Sequence, residues 1–410
     1  MRLPQSEAFP RFLLPSLPVN IAVQRCPTSR REAPQRIVIV KFGALGDILM
    51  ATPLLTALRR AYPEAHITWV AEDTNLGAID TNPHIDEILL WSSGYWQLMR
   101  SSKPRNWIRN QFGFRWPLKL LRLKWLLHRR FDTFISFHPE RWNFLRSAAA
   151  PRTSLGIFES PDQAKRDYTS RYTKAYTAAD FSVHRTNNSL LPLGALSLPP
   201  ATDKQMILGF TAEDDNAARD FLKRHDHPDG QEFLLLAPMT TWESRVWPAE
   251  NYVQLGNALA KQGRRLVLIS SPHLEEREAV SAIASQMQVP PMTALGTLTF
   301  RQMAALMARA SLLISSDTGP MHAAAAVGTP YLALFGPTPV LGRAPLAGRG
   351  LALAHAVPCG PCDQQVCPNP PETYMKCMHL LTVSEVLDAV TEVLDAVTEV
   401  LDAVTGATRR

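Results

Sequence analysis

The chain has 410 residues, of which 46% are hydrophobic, so it is long enough and apolar enough for two domains with separate buried cores. No apolar run approaches the roughly 20 residues that a membrane-spanning helix requires, so we predict no transmembrane helix. The formal net charge of +6 is unevenly distributed along the chain and therefore points to a local interaction surface.

Residues 1–35 form an N-terminal extension that we predict to be disordered or poorly packed. Its apolar stretch, residues 12–18, is too short and too interrupted by proline for the apolar core of a secretory signal. We therefore expect the protein to act in the cytoplasm.

The first predicted unit of regular structure is a β-branched run at residues 36–40, followed by Gly43 and Gly46 and then by an amphipathic helical pattern. This order is typical of the first strand and helix of a Rossmann-like sheet. The glycine spacing is not G-x-G-x-x-G, and the P-loop signature is missing, which argues against a dinucleotide cofactor. Asp47 follows the carboxyl end of the strand, where such sheets bind ligands, so we interpret it as a candidate general base. The alternative is an Asp that caps the following helix.

Further short apolar runs, separated by helical stretches, predict two α/β domains with mostly parallel sheets. The runs occupy residues 37–40, 67–70, 88–91, 133–137 and, as a last strand, 206–208 in the first series, and residues 232–238, 265–270, 312–315 and 331–335 in the second. We place the domains at residues 36–210 and 211–380, facing a central cleft that suits a substrate with two halves.

A basic, tryptophan-rich segment interrupts the first domain at residues 95–131. No acidic residue lies between Glu87 and Asp132, and the basic residues alternate with tryptophans and leucines. This pattern is typical of a segment that lies on an anionic membrane surface. Nucleic acid could use the same charges, but the leucines favour the membrane; a helix packed on its own domain with a solvated basic face is the other alternative. The candidate docking residues are Arg105, Arg109, Trp116, Lys119 and Lys124.

In the second domain, an apolar run is followed by the polar stretch 315–319 and then by a small-residue helical pattern. Unpaired N–H groups and the helix dipole at such a junction favour an anion, and Gly319 lets a diphosphate approach the main chain. Asp317, Thr318 and His322 would surround that anion. Helix capping alone is the alternative, but the similar junction near the start of the first domain favours a ligand site.

Four of the five cysteines, Cys359, Cys362, Cys367 and Cys377, follow the spacing C-x2-C-x4-C-x9-C. Four thiolates could hold zinc or an iron–sulfur cluster. Reduced structural thiols or one disulfide are the alternatives, although a cytoplasmic location argues against a stable disulfide. We predict no metal site.

The tail, residues 381–410, carries the literal repeat EVLDAVT, which begins at Glu385, Glu392 and Glu399. A seven-residue period places apolar side chains along one side of a helix, as in a coiled-coil seam. Three heptads are marginal for a free coiled coil, so we predict a C-terminal helix whose first turns pack on the domain and whose end projects. We expect a monomer, with dimerisation through the tail as the alternative.

Together these motifs resemble glycosyltransferase family 9, the ADP-heptose:lipopolysaccharide heptosyltransferases. The resemblance covers about residues 36 to 392 and rests on the glycine loop at residues 41–47 with Thr52-Pro53, on Trp247-Pro248, and on the Asp-Thr-Gly-Pro-Met-His element at residues 317–322. It implies the GT-B architecture, with the donor in the C-terminal domain and the acceptor against the N-terminal domain.

The resemblance also implies inverting transfer of heptose from ADP-heptose to the lipopolysaccharide inner core, with no metal or other cofactor. Asp47 would be the general base, beside an acceptor-side loop that includes Lys41, Gly43 and Gly46. The implied donor-binding residues are Thr240, Thr241, Arg245, Glu275, Asp317, Thr318, Gly319 and His322. Arg245 stands where the family often has a lysine, and the two are not interchangeable in a tight phosphate site.

This interpretation places the enzyme in the cytoplasm, peripheral on the inner membrane, with a nucleotide sugar and a lipopolysaccharide acceptor as its partners and no nucleic acid. One alternative is the same fold acting on another nucleotide sugar or acceptor glycan. A second is a non-catalytic metal- or partner-binding protein on a glycosyltransferase scaffold.

Overall fold

The computed structural model describes residues 34–91, 130–137, 145–147, 149–158, 172–177 and 184–407, with the side chains of the last helix described up to residue 399. Two compact units meet in sequence between Ile207 and Leu208. Nearly all of the predicted N-terminal extension and of the basic segment, including its five candidate docking residues, lies outside the described residues.

The first unit contains a parallel sheet with the strand order β3-β2-β1-β4-β5-β6. Its strands are β1 (Arg36–Val40), β2 (His66–Glu72), β3 (Glu87–Trp91), β4 (Thr133–Ser136), β5 (Thr153–Phe158) and β6 (Lys174–Thr177), and the helices in its described residues include α1 (Leu45–Leu49), α2 (Thr52–Ala61) and α3 (Arg185–Ala195). The chain runs from β1 outward to β3 and then returns to the other side of β1. The direction of winding therefore changes between β1 and β4, and ligands bind at such a point in open α/β sheets.

The first sheet is buried because its central strands are apolar on both faces. Residues 37–40 of β1 are completely buried, and β1 pairs in parallel with β2 and β4. Continuous apolar runs of this kind are expected for parallel strands covered on both faces.

The predicted last strand at residues 206–208 is wrong: this segment is an extended connection that pairs with no strand. Met206 and Leu208 are buried, and the main-chain N–H of Ile207 donates to Thr52 Oγ1 at 2.9 Å. The short apolar run thus reflects a connection that packs on the domain, and β6 is the edge strand instead.

The second unit repeats the architecture, with the strand order β12-β11-β10-β7-β8-β9. Its strands are β7 (Phe233–Ala237), β8 (Arg265–Ser270), β9 (Met292–Leu295), β10 (Leu312–Ser316), β11 (Tyr331–Phe335) and β12 (Gly350–Ala354). Its helices are α4 (Ala212–Arg224), α5 (Ala249–Lys261), α6 (Leu274–Ser285), α7 (Phe300–Met307), α8 (Gly319–Val327), α9 (Val340–Arg343), α10 (Lys376–His379) and α11 (Val383–Ala407). Here the direction of winding changes between β7 and β10.

Helix α8 is brought close to the second sheet by its small side chains, since its residues 323–325, all alanines, are completely buried. It ends at Gly328, which adopts the left-handed conformation with φ 84°. A side chain there would be strained, so glycine sets the helix length.

The C-terminal helix α11 shows how one repeat can have two environments. Val386 and Val390 of the first EVLDAVT repeat are buried against the domain core, and α11 contacts α5, β11 and β12. Val397, which occupies the same repeat position as Val390 one heptad later, is only partly buried. The packed part of the helix therefore ends within the second repeat.

In the part of the chain that the structure describes, no helix combines the length and the apolar character needed to cross a membrane.

Candidate active site

Polar loops follow β7, β10 and β11 at the carboxyl edge of the second sheet. Because these three strands are parallel neighbours, their loops lie side by side, next to the change of winding between β7 and β10. Thr240 and Arg245 follow β7, and Asp317 and Thr318 follow β10. The structure therefore brings together predicted donor residues that are distant in the sequence: Arg245 and Asp317 are 72 residues apart.

Arg245 and Asp317 form a buried ion pair. The Arg245 Nη1 donates to the main-chain oxygen of Asp317 at 3.1 Å and lies 3.5 Å from its Oδ2, with the two side chains only 8% and 4% exposed. The guanidinium also stacks on Trp242, 3.5 Å from the ring centroid, an attractive arrangement for a cation on an aromatic face. A positive charge is thus held at the strand ends, where an anionic ligand would bind.

A second arginine, which the sequence analysis missed, joins this pair from the loop after β11. Arg343, at the end of α9, has its Nε 4.0 Å from Asp317 Oδ2 and donates from Nη2 to Asp363 Oδ1 at 2.7 Å. Its guanidinium carbon lies 5.5 Å from the Trp242 ring centroid. No motif marks Arg343, but its position beyond the end of a strand next to β10 was a usable signal.

The N-terminus of α8 has the properties of an anion-binding junction. Thr318 is the N-cap residue in an extended conformation, and its side chain makes no capping hydrogen bond to the helix. Gly319 and Pro320 form the first helical positions, so no bulky side chain covers the start of the main chain. His322 is buried one turn further on. Helix capping therefore does not account for Thr318, and the N-terminal dipole remains suited to an anion.

The other predicted donor residues make fewer contacts with this edge of the sheet. Thr240 is buried, and its Oγ1 accepts from the main-chain N–H of Trp242 at 3.4 Å, so it orders the loop that carries Arg245. Thr241 is exposed, and Glu275 is exposed in the first turn of α6, after β8. Among the described contacts, none joins Glu275 to the Arg245–Asp317 pair.

The candidate acceptor edge belongs to the first sheet, where Lys41 follows β1. Lys41 is buried, and its Nζ lies 4.9 Å from the ring centroid of Phe137, the residue after β4. Both residues therefore stand where the winding changes between β1 and β4. Gly43 has φ 143°, which L side chains rarely adopt, and its carbonyl accepts from Asn75 Nδ2 at 2.8 Å.

Asp47 lies within α1, half-buried, in the first helical turn. The N-cap position of this helix is Ala44, so Asp47 is not the N-cap residue. Gly46 is buried beside it. Asn75, which the sequence analysis did not identify, lies in the 3-10 turn Asp73–Ala78 after β2, at the same edge of the sheet as Asp47.

The four clustered cysteines lie in the segment of residues 359–377, which we call the thiol loop and whose last residue, Cys377, already belongs to α10. All four are free thiols that line one small cavity. Burial raises the pKa of Cys377 to about 11, so its thiol stays protonated at neutral pH. Among the described residues, no group of His, Cys, Asp and Glu is arranged to hold a metal ion.

The thiol loop supports the Arg245 loop. Ser244 Oγ donates to the main-chain oxygen of Gln364 at 2.6 Å, and the Ser244 N–H donates to that of Gln365 at 3.2 Å. Tyr374 hydrogen-bonds to the Glu243 carboxylate. The cysteine-rich segment therefore helps to hold the edge of the sheet that carries the predicted donor residues, although its cysteines contact none of these residues directly in the contacts described.

Two Rossmann-like parallel sheets, one of them with a cationic, helix-terminated junction, define a glycosyltransferase of the GT-B fold class. The chain belongs to glycosyltransferase family 9 (heptosyltransferase), whose family model matches residues 125–372.

Curated relatives and a solved structure agree with this assignment. The chain is 27% identical over 305 residues to lipopolysaccharide heptosyltransferase 3 of Escherichia coli, covering 72% of this chain and 81% of that protein. It is 28% identical over 349 residues to lipopolysaccharide heptosyltransferase 1 of Pseudomonas aeruginosa, covering 82% of this chain and 88% of that protein. The structure of E. coli heptosyltransferase WaaC with ADP-2-deoxy-2-fluoro heptose shares the fold, with a TM-score of 0.62 at 20% identity, covering 87% of this chain and 99% of that one.

Proposed function

We propose that this enzyme transfers heptose from ADP-heptose to the inner core of lipopolysaccharide, with inversion at the anomeric carbon and without a divalent metal. The relatives from E. coli and P. aeruginosa are lipopolysaccharide heptosyltransferases, and the WaaC structure contains an ADP-heptose analogue. The observation that carries the proposal is the buried Arg245–Asp317 pair beside the N-terminus of α8.

The donor diphosphate would bind at the start of α8. Thr318 and Gly319 offer main-chain N–H groups, and Arg245 supplies a fixed cation whose planar fork suits phosphate oxygens. Asp317 accepts hydrogen bonds from hydroxyls of the donor sugar, and Thr240 and Thr241 contribute hydroxyl groups. His322 and Glu275 complete the proposed set, with Glu275 on the ribose.

In the proposed reaction, Asp47 accepts the proton of an acceptor hydroxyl as that oxygen attacks the anomeric carbon. The new carbon–oxygen bond forms while the bond to the diphosphate breaks, and ADP leaves with the electron pair. A single displacement of this kind inverts the anomeric configuration. The helix terminus and Arg245 balance the charge that develops on ADP, a role that pre-oriented dipoles and cations perform in a water-poor site.

On the acceptor side, we assign Gly43 and Gly46 to the close approach of the acceptor sugar to the main chain. Lys41 holds a positive charge next to this loop. The basic segment at residues 95–131 would dock the enzyme on the cytoplasmic face of the inner membrane as a monomer, because its charges and leucines suit anionic lipid.

The direct test is a transfer assay with heptose-deficient lipopolysaccharide, ADP-heptose and a chelator. The proposal predicts a product one heptose heavier, with the anomeric configuration opposite to that of the donor by NMR. Transfer only from a UDP- or GDP-sugar would show that the enzyme is a glycosyltransferase with a donor other than ADP-heptose. If no nucleotide sugar supports transfer, and the purified protein holds a metal that a chelator does not remove, a non-catalytic binding protein would be favoured.

A further inference from the structure

Arg343 and Arg245 approach the same carboxylate from different loops of the donor edge. Their guanidinium nitrogens lie 4.0 and 3.5 Å from Asp317 Oδ2, and both cations lie near the Trp242 ring. At neutral pH two positive charges therefore stand within a few ångströms of the start of α8. The carboxylates of Asp317 and Asp363 balance these two charges, so an anionic ligand would meet guanidinium groups that are already held in place.

The Asp317 Oδ2 atom is fully buried, yet no described group forms a hydrogen bond with it. Its contacts with the two arginines are ion pairs without hydrogen-bond geometry. A buried carboxylate oxygen in this state is costly, and in a binding site a ligand hydroxyl can supply the missing donor. This atom is an observation, separate from the helix terminus, that points to a bound ligand.

Asp363 fixes the orientation of Arg343 from the thiol loop. Its Oδ1 accepts from Arg343 Nη2 at 2.7 Å, and its main-chain N–H donates to the Pro337 oxygen at 2.8 Å. Asp363 has φ 51°, in the left-handed region that few non-glycine residues occupy. Because Pro337 belongs to the loop between β11 and α9, Asp363 holds both the loop and its arginine.

We propose that Arg343 is a second diphosphate-binding residue of the donor site and that Asp363 positions it. This inference rests on the proposed function, since it adds a residue to the same donor site. With its Nη2 engaged by Asp363, Arg343 has its Nε on the side of Asp317, 4.0 Å from Oδ2, where the ligand would bind. Two guanidinium groups then share the charge of the diphosphate, a task for which planar, permanently charged forks are suited.

The test is calorimetric titration of the full chain with adenosine, AMP and ADP in metal-free buffer. Arg343→Gln should weaken ADP binding by about tenfold or more, the loss expected for one charged hydrogen bond, and leave adenosine binding nearly unchanged. Arg343→Lys should retain part of the affinity because it keeps the charge. The matched control is Arg349→Gln, an exposed arginine after α9, which should bind ADP like the wild type.

Asp363→Asn provides the test of positioning. It keeps a group of the same size but removes the charge that orients Arg343, so ADP binding should weaken by a few-fold. The double variant Asp363→Asn/Arg343→Gln should bind ADP no more weakly than Arg343→Gln alone. Fully additive losses in the double variant would overturn the positioning role.

Two results would overturn the binding role of Arg343: unchanged ADP affinity in Arg343→Gln, or an equal loss for adenosine and ADP, which indicates a merely structural effect. Thermal unfolding of each variant, compared with Arg349→Gln, checks that the site is folded. If the wild type binds UDP rather than ADP, the proposed donor is wrong. Titrations of the wild type and Arg343→Gln with uridine and UDP would then decide the role of Arg343.

Discussion

The two sheets present the same kind of edge but hold their polar groups differently. At the donor edge, Arg245, Asp317 and Arg343 follow three different strands, and both arginines lie against the Asp317 carboxylate in a largely buried cluster. At the acceptor edge, Asp47 sits on the five-residue helix α1, and the described contacts around it are of another kind: a main-chain carbonyl bound by Asn75 and a lysine over an aromatic ring.

This difference matches the two tasks that we assign to the edges. A site for a diphosphate gains from charges fixed before the ligand arrives, because no reorganisation is then needed as charge develops on the leaving group. A site for a general base needs one carboxylate at a strand end and a main chain that a sugar can approach. Substitutions at the two edges should therefore fail in different ways.

Asp47→Asn should give the largest effect on activity. Without a proton acceptor, transfer should fall by about a hundredfold or more, while ADP affinity stays at the wild-type value because the donor edge is unchanged. Steady-state transfer and ADP titration are compared with those of Glu64→Gln, an exposed carboxylate of the same unit. Transfer close to the wild-type rate in Asp47→Asn would show that Asp47 is not the general base.

Arg245→Gln should instead damage the donor edge and its stability. It leaves the Asp317 carboxylate buried beside only the more distant Arg343, and breaking a buried ion pair costs about 3–5 kcal/mol. Urea unfolding should show this loss, and ADP binding should weaken in the same variant. Arg277→Gln, at an exposed position, is the control, and equal stabilities of the two variants would contradict a buried pair of this strength.

Asn75→Ala tests whether the acceptor loop depends on the Asn75–Gly43 hydrogen bond. Loss of this bond should cost about 1 kcal/mol of stability and raise KM for the acceptor, with ADP affinity unchanged because the donor edge lies on the other sheet. The exposed Asn216→Ala is the control. A change in ADP affinity without a change in acceptor KM would contradict the assignment of this loop.

The smallest effect concerns thiol reactivity next to the donor edge. With its pKa raised to about 11, Cys377 has about one thiolate per thousand molecules at pH 8, and this fraction grows as the pH rises toward the pKa. Iodoacetamide followed by peptide mass spectrometry should label the exposed Cys359 first and Cys377 last, with the lag shrinking at pH 10. Early labelling of Cys377 at pH 8 would contradict its buried, protonated state.

Much of the fold could be predicted because the central strands are continuous apolar runs. The runs at residues 37–40, 234–236 and 312–314 all became buried central strands. The edge strand β6, Lys-Ala-Tyr-Thr, is too polar and too short to stand out, and β12 contains glycine. The apolar residues 206–208 were wrongly predicted to form a strand, because a buried connection that pairs with no strand has the same run of apolar residues as a buried strand.

The sequence alone identified residues of the candidate site only where they belong to a recognisable motif. The Asp-Thr-Gly-Pro-Met-His element and the loop that carries Arg245 gave separate candidates, but their burial as one ion pair required the parallel order of β7 and β10. Arg343 and Asp363 were missed although Asp363 directly follows Cys362 of the cysteine cluster, because no pattern marks these two residues themselves, and Asn75 comes from a short turn. Contacts between distant loops depend on strand order, which local patterns do not contain.

We propose that the second domain binds an ADP-linked donor without a metal, at the edge of the sheet that carries Arg245 and Arg343. Calorimetric titration of the purified protein with ADP, with UDP as the control and a chelator present, tests it most directly. We expect saturable ADP binding that is tighter than UDP binding and that Arg245→Gln weakens. Equal or tighter binding of UDP, or ADP binding that appears only with a divalent metal, would contradict it.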